Sequence, residues 1–95
     1  MSTYLVWDVR VHEPDKYKEY LVEVPKIAAK HGGKYLVRGG ELTLYEGDWA
    51  PTRMVIIEFP TRKDAMNFYE GDEYAPWKKI RNMYADSDLV FVDGV

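Results

Sequence analysis

The fold of this chain is decided by one stretch, Arg53-Met54-Val55-Ile56-Ile57-Glu58-Phe59. Its central residues are apolar and largely β-branched on both alternating sides, a pattern typical of a strand covered on both faces. Pro60 follows and ends the strand, because proline has no amide hydrogen to donate to a neighbouring strand. We therefore expect this stretch to be the central strand of a sheet.

Further strands are predicted on either side of this one. Residues 3–11 alternate, with Leu5, Trp7, Val9 and Val11 on one side and a mixed set on the other. Residues 34–38 and 89–92 are shorter apolar runs that also read as strands. Residues 41–46 alternate before the turn at Gly47-Asp48 and predict a strand extension or hairpin arm.

Helical spacing fills the intervals between these strands. Apolar residues recur at steps of three and four from Tyr17 to Ala28, so a helix is expected from Pro14 to His31-Gly32-Gly33. Pro25 lies inside it and predicts a kink or break near residues 21–24. Thr61 and Asp64 form a capping pattern for a second helix that ends near Gly71. A short third helix follows, with Pro76 in its first turn.

The resulting order, β-α-β-β-α-β, predicts an α+β ferredoxin-like sandwich formed by a single domain over residues 1–95, with both main helices on one face of the sheet. The other face would be bare. It would carry an apolar patch of Val6, Val37 or Leu36, Ile56, and Val90 or Phe91. Soluble monomers rarely expose such a patch, so a second copy of the chain is the expected cover and a homodimer is predicted.

Composition excludes several classes of protein. The 95 residues include no cysteine and two histidines, which removes disulfides, thiolate nucleophiles and the common zinc sites, and we expect neither a metal nor a cofactor. A net charge of −3 argues against a nucleic-acid partner. No apolar run is long enough to cross a membrane, and the start of the chain lacks the basic residues of a secretory signal. The expected location is the cytoplasm.

Several separated blocks resemble one known family, catalogued as domain of unknown function 1330. The blocks are residues 32–40, 46–53, 57–61, 68–69, 73–74 and 80–81. The resemblance implies a ferredoxin-like protomer of the dimeric α/β-barrel superfamily, in which two sheets pack face to face around a central cavity. It implies no particular reaction, because relatives in that superfamily include cofactor-free monooxygenases, isomerases and haem-degrading proteins.

Three polar residues on the predicted strands are candidates for chemistry at that cavity. In this fold the first strand neighbours the third and the third neighbours the second, so Asp8, Glu58 and Arg38 can converge if the register allows. Arg38 would then hold an anion, and Glu58 or Asp8 would be a general base with a raised pKa. The alternative, which we favour, is a structural pair of arginine and carboxylate.

Four more residues are candidates of a weaker kind. His31 is either a base or axial haem ligand, or, as we favour, a residue that complements the end of the first helix. Trp49 lies in the loop before the central strand and is more simply an interface anchor than a surface for substrate stacking. Tyr69 and Arg81 lie near the junction of the last two helices and are possible ligand contacts.

These features lead to one functional expectation and one alternative. We expect a small, partly anionic organic molecule in the cavity between the two sheets, with cofactor-free proton transfer or oxygenation as the activity. The alternative is a non-catalytic small-molecule binder or a structural dimer, in which Arg38, Glu58 and Asp8 only hold the barrel together.

Overall fold

Strands and helices follow one another in the expected order, and the computed structural model describes all of residues 1–95. The strands are β1 (Thr3–Val11), β2 (Lys34–Arg38), β3 (Met54–Phe59) and β4 (Ala85–Asp93). The α-helices are α1 (Lys18–Lys30), α2 (Arg62–Glu70) and α3 (Ala75–Tyr84), and a 3-10 turn over Pro14–Tyr17 leads into α1. None of these helices is long and apolar enough to span a lipid bilayer.

The four strands form one antiparallel sheet in the order β2-β3-β1-β4. This confirms the ferredoxin-like fold and the neighbours predicted for β3. Strand β4 is longer than the predicted residues 89–92, because it pairs with the whole length of β1, from Thr3 opposite Asp93 to Val11 opposite Ala85. The longer ladder satisfies backbone groups that would otherwise need water.

The hydrophobic core lies between the helices and one face of the sheet. Leu5 and Ile57 from the two central strands are fully buried there, as are Val24 of α1 and Phe68 of α2. The odd-numbered residues of β1 thus face the helices, as the alternation predicted. The opposite face of the sheet has no helix on it.

The predicted strand over residues 41–46 is wrong. Residues 39–53 contain no helix or strand, and residues 40–50 are all exposed. Gly39, at a φ of +72°, turns the chain away at the end of β2. The alternating stretch then has no strand beside it to complete its backbone hydrogen bonds, and alternation alone does not hold a strand in place.

The helix containing Pro25 is not broken. Helix α1 runs without interruption from Lys18 to Lys30, although Pro25 cannot donate to the carbonyl of Leu21. The guanidinium of Arg38 donates to that carbonyl instead, with a nitrogen-to-oxygen distance of 2.6 Å. A side chain from β2 therefore replaces the hydrogen bond that proline removes from the helix.

The predicted cap of the second helix is confirmed. The Thr61 hydroxyl oxygen accepts from the amide of Asp64 at 3.1 Å, and the same hydroxyl donates to the Asp64 carboxylate at 2.9 Å. This reciprocal arrangement satisfies one of the unpaired amides of the first turn. Pro76 lies at the start of α3, where its missing amide hydrogen costs nothing.

Candidate functional site

The structure does not bring Arg38, Glu58 and Asp8 together. Glu58 pairs with Tyr4 and Asp8 pairs with Met54, so the two carboxylates lie four residues apart along the ladder, about 13 Å. Arg38 reaches α1 on the helix side of the sheet, whereas Glu58 faces the open side, where its carboxylate accepts from the Tyr4 hydroxyl at 3.2 Å. The expected pair of Arg38 with a carboxylate therefore does not form.

Asp8 instead fastens the loop of residues 39–53 to the sheet. Its buried carboxylate accepts from the Arg10 guanidinium at 2.9 Å, from the Thr52 amide at 3.3 Å and from the Trp49 indole at 3.4 Å. A structural ion pair does exist here, with Arg10 as the cation in place of Arg38. The other contacts hold one end of an otherwise irregular loop against β1.

Trp49 and His31 both lie at the edges of the molecule. Trp49 is 62% exposed, with the Asp8 carboxylate as its hydrogen-bond partner. His31 ends α1, where its amide donates to the Ala28 carbonyl at 3.0 Å and its ring lies edge-on to Phe68. The position of His31 agrees with a role at the helix end, and the other roles considered for these two residues stay predictions.

A narrow cleft opens between α1 and the helix side of the sheet, near β2 and β3. It is lined by Trp7, Val9, Tyr17, Tyr20, Leu21, Pro25, Tyr35, Arg38, Arg53 and Val55. Two guanidinium groups are present and no carboxylate or imidazole lines it. The volume of the cleft that the centre of a water molecule can occupy is about 20 Å³, which is room for roughly one water.

The phenol groups of the cleft are neutral at physiological pH. Burial raises the pKa of Tyr35 to about 12 and also raises the pKa of Tyr17 above its ordinary value. Tyr17 stacks on Tyr20 with 4.5 Å between ring centres. These side chains supply hydrogen-bond donors and aromatic surface, and they are poor general bases because their ionised forms are disfavoured.

A buried polar cluster lies behind the aromatic wall. The hydroxyls of Tyr20 and Tyr74 are hydrogen-bonded at 2.5 Å, and Arg81 donates to the Tyr74 hydroxyl at 3.0 Å and to the Tyr69 hydroxyl at 3.1 Å. The Arg81 guanidinium also lies 5.3 Å from the centre of the Trp7 ring. The structure thus brings Tyr69 and Arg81 together as expected, while contact of either residue with a ligand stays a prediction.

Sequence reasoning missed the aromatic residues of the cleft. The spacing of Trp7, Tyr17 and Tyr20 predicts a place in the core, and all three are buried. The available signal was the polar end of each side chain, since buried Trp and Tyr need hydrogen-bond partners that an apolar core does not offer. The sequence pattern places Arg53 at the start of a strand, although in the structure Arg53 lies before β3 and lines the cleft.

Fold and cleft together define a small ferredoxin-like α+β protein with an aromatic, cationic pocket on the helix side of its sheet. The chain belongs to the family described as domain of unknown function (DUF1330), whose model matches residues 2–95. No curated protein matches the chain. The family resemblance noted in the sequence is thereby confirmed.

Solved structures show the same fold at low sequence identity. A protein of unknown function from Rhodopseudomonas palustris is 22% identical, with a TM-score of 0.73 over 99% of this chain and 82% of that one. SnoaB, a cofactor-independent oxygenase from Streptomyces nogalater, is 12% identical, with a TM-score of 0.69 over 99% of this chain and 93% of that one. These similarities establish the architecture.

Proposed function

We propose that the helix-side cleft binds a small organic anion with an aromatic or conjugated body. The observation that carries this proposal is the composition of the lining, in which two arginines lie among aromatic rings with no acidic residue to neutralise them. Arg38 also lies over the Tyr35 ring, 5.3 Å from its centre. Guanidinium groups bind anionic oxygens strongly, and stacked aromatic walls favour a flat ligand. The proposed site lies within a single chain, apart from the cavity between two sheets that the family resemblance implies.

A ligand larger than water requires the rim of the cleft to open. Arg38 is exposed, and Arg53 and Leu21 are half-buried, so each can move at the rim. A rotamer change of Arg38 gives up its hydrogen bond to the Leu21 carbonyl, a cost that contact of the guanidinium with the anion offsets. The inner wall of Trp7, Tyr17 and Tyr20 is buried behind this rim. The expected bound state therefore has the rim moved and the inner wall exposed to the ligand.

The activity we propose for the bound anion is cofactor-free oxygenation, the activity of the structural neighbour SnoaB. No carboxylate or imidazole lines the cleft, so the substrate must be acidic enough to ionise beside the arginines. Its carbanion form would give electrons to O2, the oxidant, and a C–O bond would form between that carbon and one oxygen atom, which leaves a peroxide anion. Protonation gives a hydroperoxide, and loss of water leaves a carbonyl, so that a CH2 group and O2 become C=O and H2O.

The absence of a base in the lining favours a second candidate, a binder without turnover. Oxygen uptake with a readily ionised polyphenol, followed by mass spectrometry of the product formed under ¹⁸O2, separates the two candidates. Incorporation of one ¹⁸O atom into the product supports oxygenation. Tight binding without oxygen uptake supports the non-catalytic binder.

Binding itself is tested with a matched pair of ligands, 2-naphthoate and 2-naphthylmethanol, through the fluorescence of the tryptophans. We expect naphthoate to bind at least about tenfold more tightly, a difference of about 1.4 kcal/mol. Arg53→Met and Arg38→Met should each reduce this preference. Arg62→Met is the control, because Arg62 is paired with Asp93 and does not line the cleft. Equal affinities for the two ligands would contradict the proposal.

We also propose that the protein is a homodimer that buries the open face of the sheet. Val6 and Ile56 lie side by side there, with Val90 opposite Val6 on the next strand. Val90 is 58% exposed, although it lies in the middle of strand β4 and is opposite Val6 of the central strand β1. A contiguous apolar face of this kind commonly marks a contact between proteins.

Light scattering of the purified protein tests the dimer, and we expect twice the mass of the chain. Val90→Glu should give a monomer, because a charge on the buried face has no partner. Val22→Glu is a matched control, since Val22 is 59% exposed but lies on α1, away from the open face. A monomeric wild-type protein at all concentrations would refute the dimer.

A further inference from the structure

Arg81 is a buried cation without an acidic partner. Its residue surface is 6% exposed, and no carboxylate lies within ion-pair distance of its guanidinium. It donates instead to the hydroxyls of Tyr74 and Tyr69 and to the side-chain oxygen of Asn82. A buried charge is costly unless it is paired, so an arginine left in this state calls for a compensating negative group.

Two neighbouring buried side chains each carry a hydrogen-bond donor that lacks an acceptor in the chain. Among all buried side-chain nitrogen and oxygen atoms of the chain, only Arg81 Nε and Trp7 Nε1 have no partner. The two side chains are neighbours, since the Arg81 guanidinium carbon lies 5.3 Å from the centre of the Trp7 ring. Buried donors in folded proteins are nearly always paired, and no group of the chain itself pairs with these two.

The surrounding tyrosines do not supply the missing charge. Burial raises the pKa of Tyr20 and of Tyr74, so both phenols are neutral at physiological pH. Trp7 and Tyr20 also line the cleft, so the Arg81 cluster lies directly behind the inner wall of the pocket. An acceptor that enters through the cleft therefore meets Trp7 first and Arg81 behind it.

We propose that Arg81 Nε and Trp7 Nε1 hold the anionic oxygen of the ligand in the cleft, and that this oxygen belongs to an ionised phenol or enol. The inference rests on the proposed function of the cleft and names the ligand class more closely. Two single donors, one from each side chain, suit one oxygen atom, whereas a carboxylate presents two oxygens. Two donors on a single oxygen also match the way oxyanions are bound elsewhere in proteins.

The test uses 4-nitrophenol, whose ionisation is visible by absorbance, and nitrobenzene as its neutral counterpart. We expect the apparent pKa of bound 4-nitrophenol to fall by about one unit or more, which means a tenfold preference for the phenolate. Arg81→Lys keeps the charge but removes the Nε donor, and Trp7→Phe removes the other donor. Each should reduce the preference at least about threefold, while nitrobenzene binding changes little.

The control variant is Lys79→Met, which removes a positive charge from an exposed position on the same helix. It should leave the phenolate preference unchanged. If Lys79→Met reduces the preference for the phenolate as much as Arg81→Lys does, the proposal is overturned, because that result would show a general effect of positive charge. If the preference depends on Arg53 and not on Arg81, the pair is likewise refuted while the cleft proposal stands.

A second measurement needs no variant of the site to fold. The indole N–H resonance of Trp7 should move downfield when 4-nitrophenolate saturates the wild-type protein. This resonance is assigned by its absence from the spectrum of Trp7→Phe, or by elimination using Trp49→Phe and Trp77→Phe. Nitrobenzene should not move it. Binding of 4-nitrophenolate with an unmoved Trp7 resonance shows that Trp7 Nε1 does not hold the ligand oxygen and refutes the inference. Failure of both ligands to bind refutes the proposed function as well.

Discussion

Replacing Arg38 with methionine should weaken helix α1 through a contact that lies outside the helix. Arg38 Nη2 donates to the Leu21 carbonyl at 2.6 Å, and that carbonyl has no backbone donor because residue 25 is proline. The Arg38→Met variant keeps an unbranched apolar stem and loses the donor. The Leu21 carbonyl must then rely on water at the rim of the cleft.

The magnitude follows from the exposure of the contact. Hydrogen bonds to charged groups contribute about 1.5–3 kcal/mol when they are buried. Arg38 is exposed, so water replaces part of that energy, and we expect a loss of about 1 kcal/mol in the free energy of unfolding. For a chain of this size that loss corresponds to a drop of about 4–8 °C in melting temperature.

Urea unfolding of a double-mutant cycle with Pro25→Ala isolates the effect. Alanine restores an amide that can donate to Leu21, so Arg38→Met should cost no more than about 0.3 kcal/mol in the variant that already carries Pro25→Ala. Glu58→Leu should not rescue Arg38→Met, because Glu58 lies on the other face. If Arg38→Met lowers the free energy of unfolding equally with proline and with alanine at position 25, the reasoning is refuted. Restoration of the stability of Arg38→Met by Glu58→Leu would also refute it.

Three further outcomes are expected from other contacts. Asp8→Ala should destabilise the fold by about 1–3 kcal/mol and speed hydrogen exchange at the Thr52 amide, and unchanged exchange there would contradict the role assigned to Asp8. The stability that depends on Tyr35 should be full below pH 10 and fall as the pH rises toward 12. The reason is that Tyr35 in the unfolded chain ionises at the ordinary tyrosine pKa of 10.0, while burial in the folded chain raises its pKa to about 12. Tyr35→Phe should lessen this fall, as measured by urea unfolding at alkaline pH. Hydrogen bonds from Thr3 and Arg62 lower the pKa of Asp93 in the folded chain below its ordinary 3.8. The stabilising effect of the Asp93 carboxylate is therefore present above pH 3.8 and is lost as the pH falls through the lower pKa of the folded chain. Asp93→Asn should remove this part of the dependence of stability on acid pH.

The spacing of the aromatic residues in the first helix predicts their burial correctly, but it does not predict the contacts they make at the site. Tyr17 and Tyr20 are buried against the sheet, as their spacing predicted. The Tyr20 hydroxyl, however, meets a partner from a distant part of the chain, Tyr74, which is 54 residues away. No local pattern specifies a contact over that separation.

Arg38 gives a second instance, because its face could not be read from the alternation of β2. The register of β2 against β3 shifts between Tyr35 and Val37, and this irregularity decides which residues of β2 face the helices. A change of one residue in register moves a side chain to the other face of a sheet. The predicted convergence of Arg38 with Glu58 and Asp8 depended on the register of β2 against β3, which the sequence does not specify.

The sequence by itself determined the order of elements, the buried side of β1, the cap at Thr61 and the central position of β3, because each depends on the spacing of side chains within a few residues. Only the tertiary structure decided that Arg38 completes the helix at Pro25, that Asp8 holds the loop of residues 39–53, and that Arg81 is buried beside Trp7. Those arrangements join residues far apart in the chain, and their geometry follows from strand register and helix packing, which no local spacing encodes.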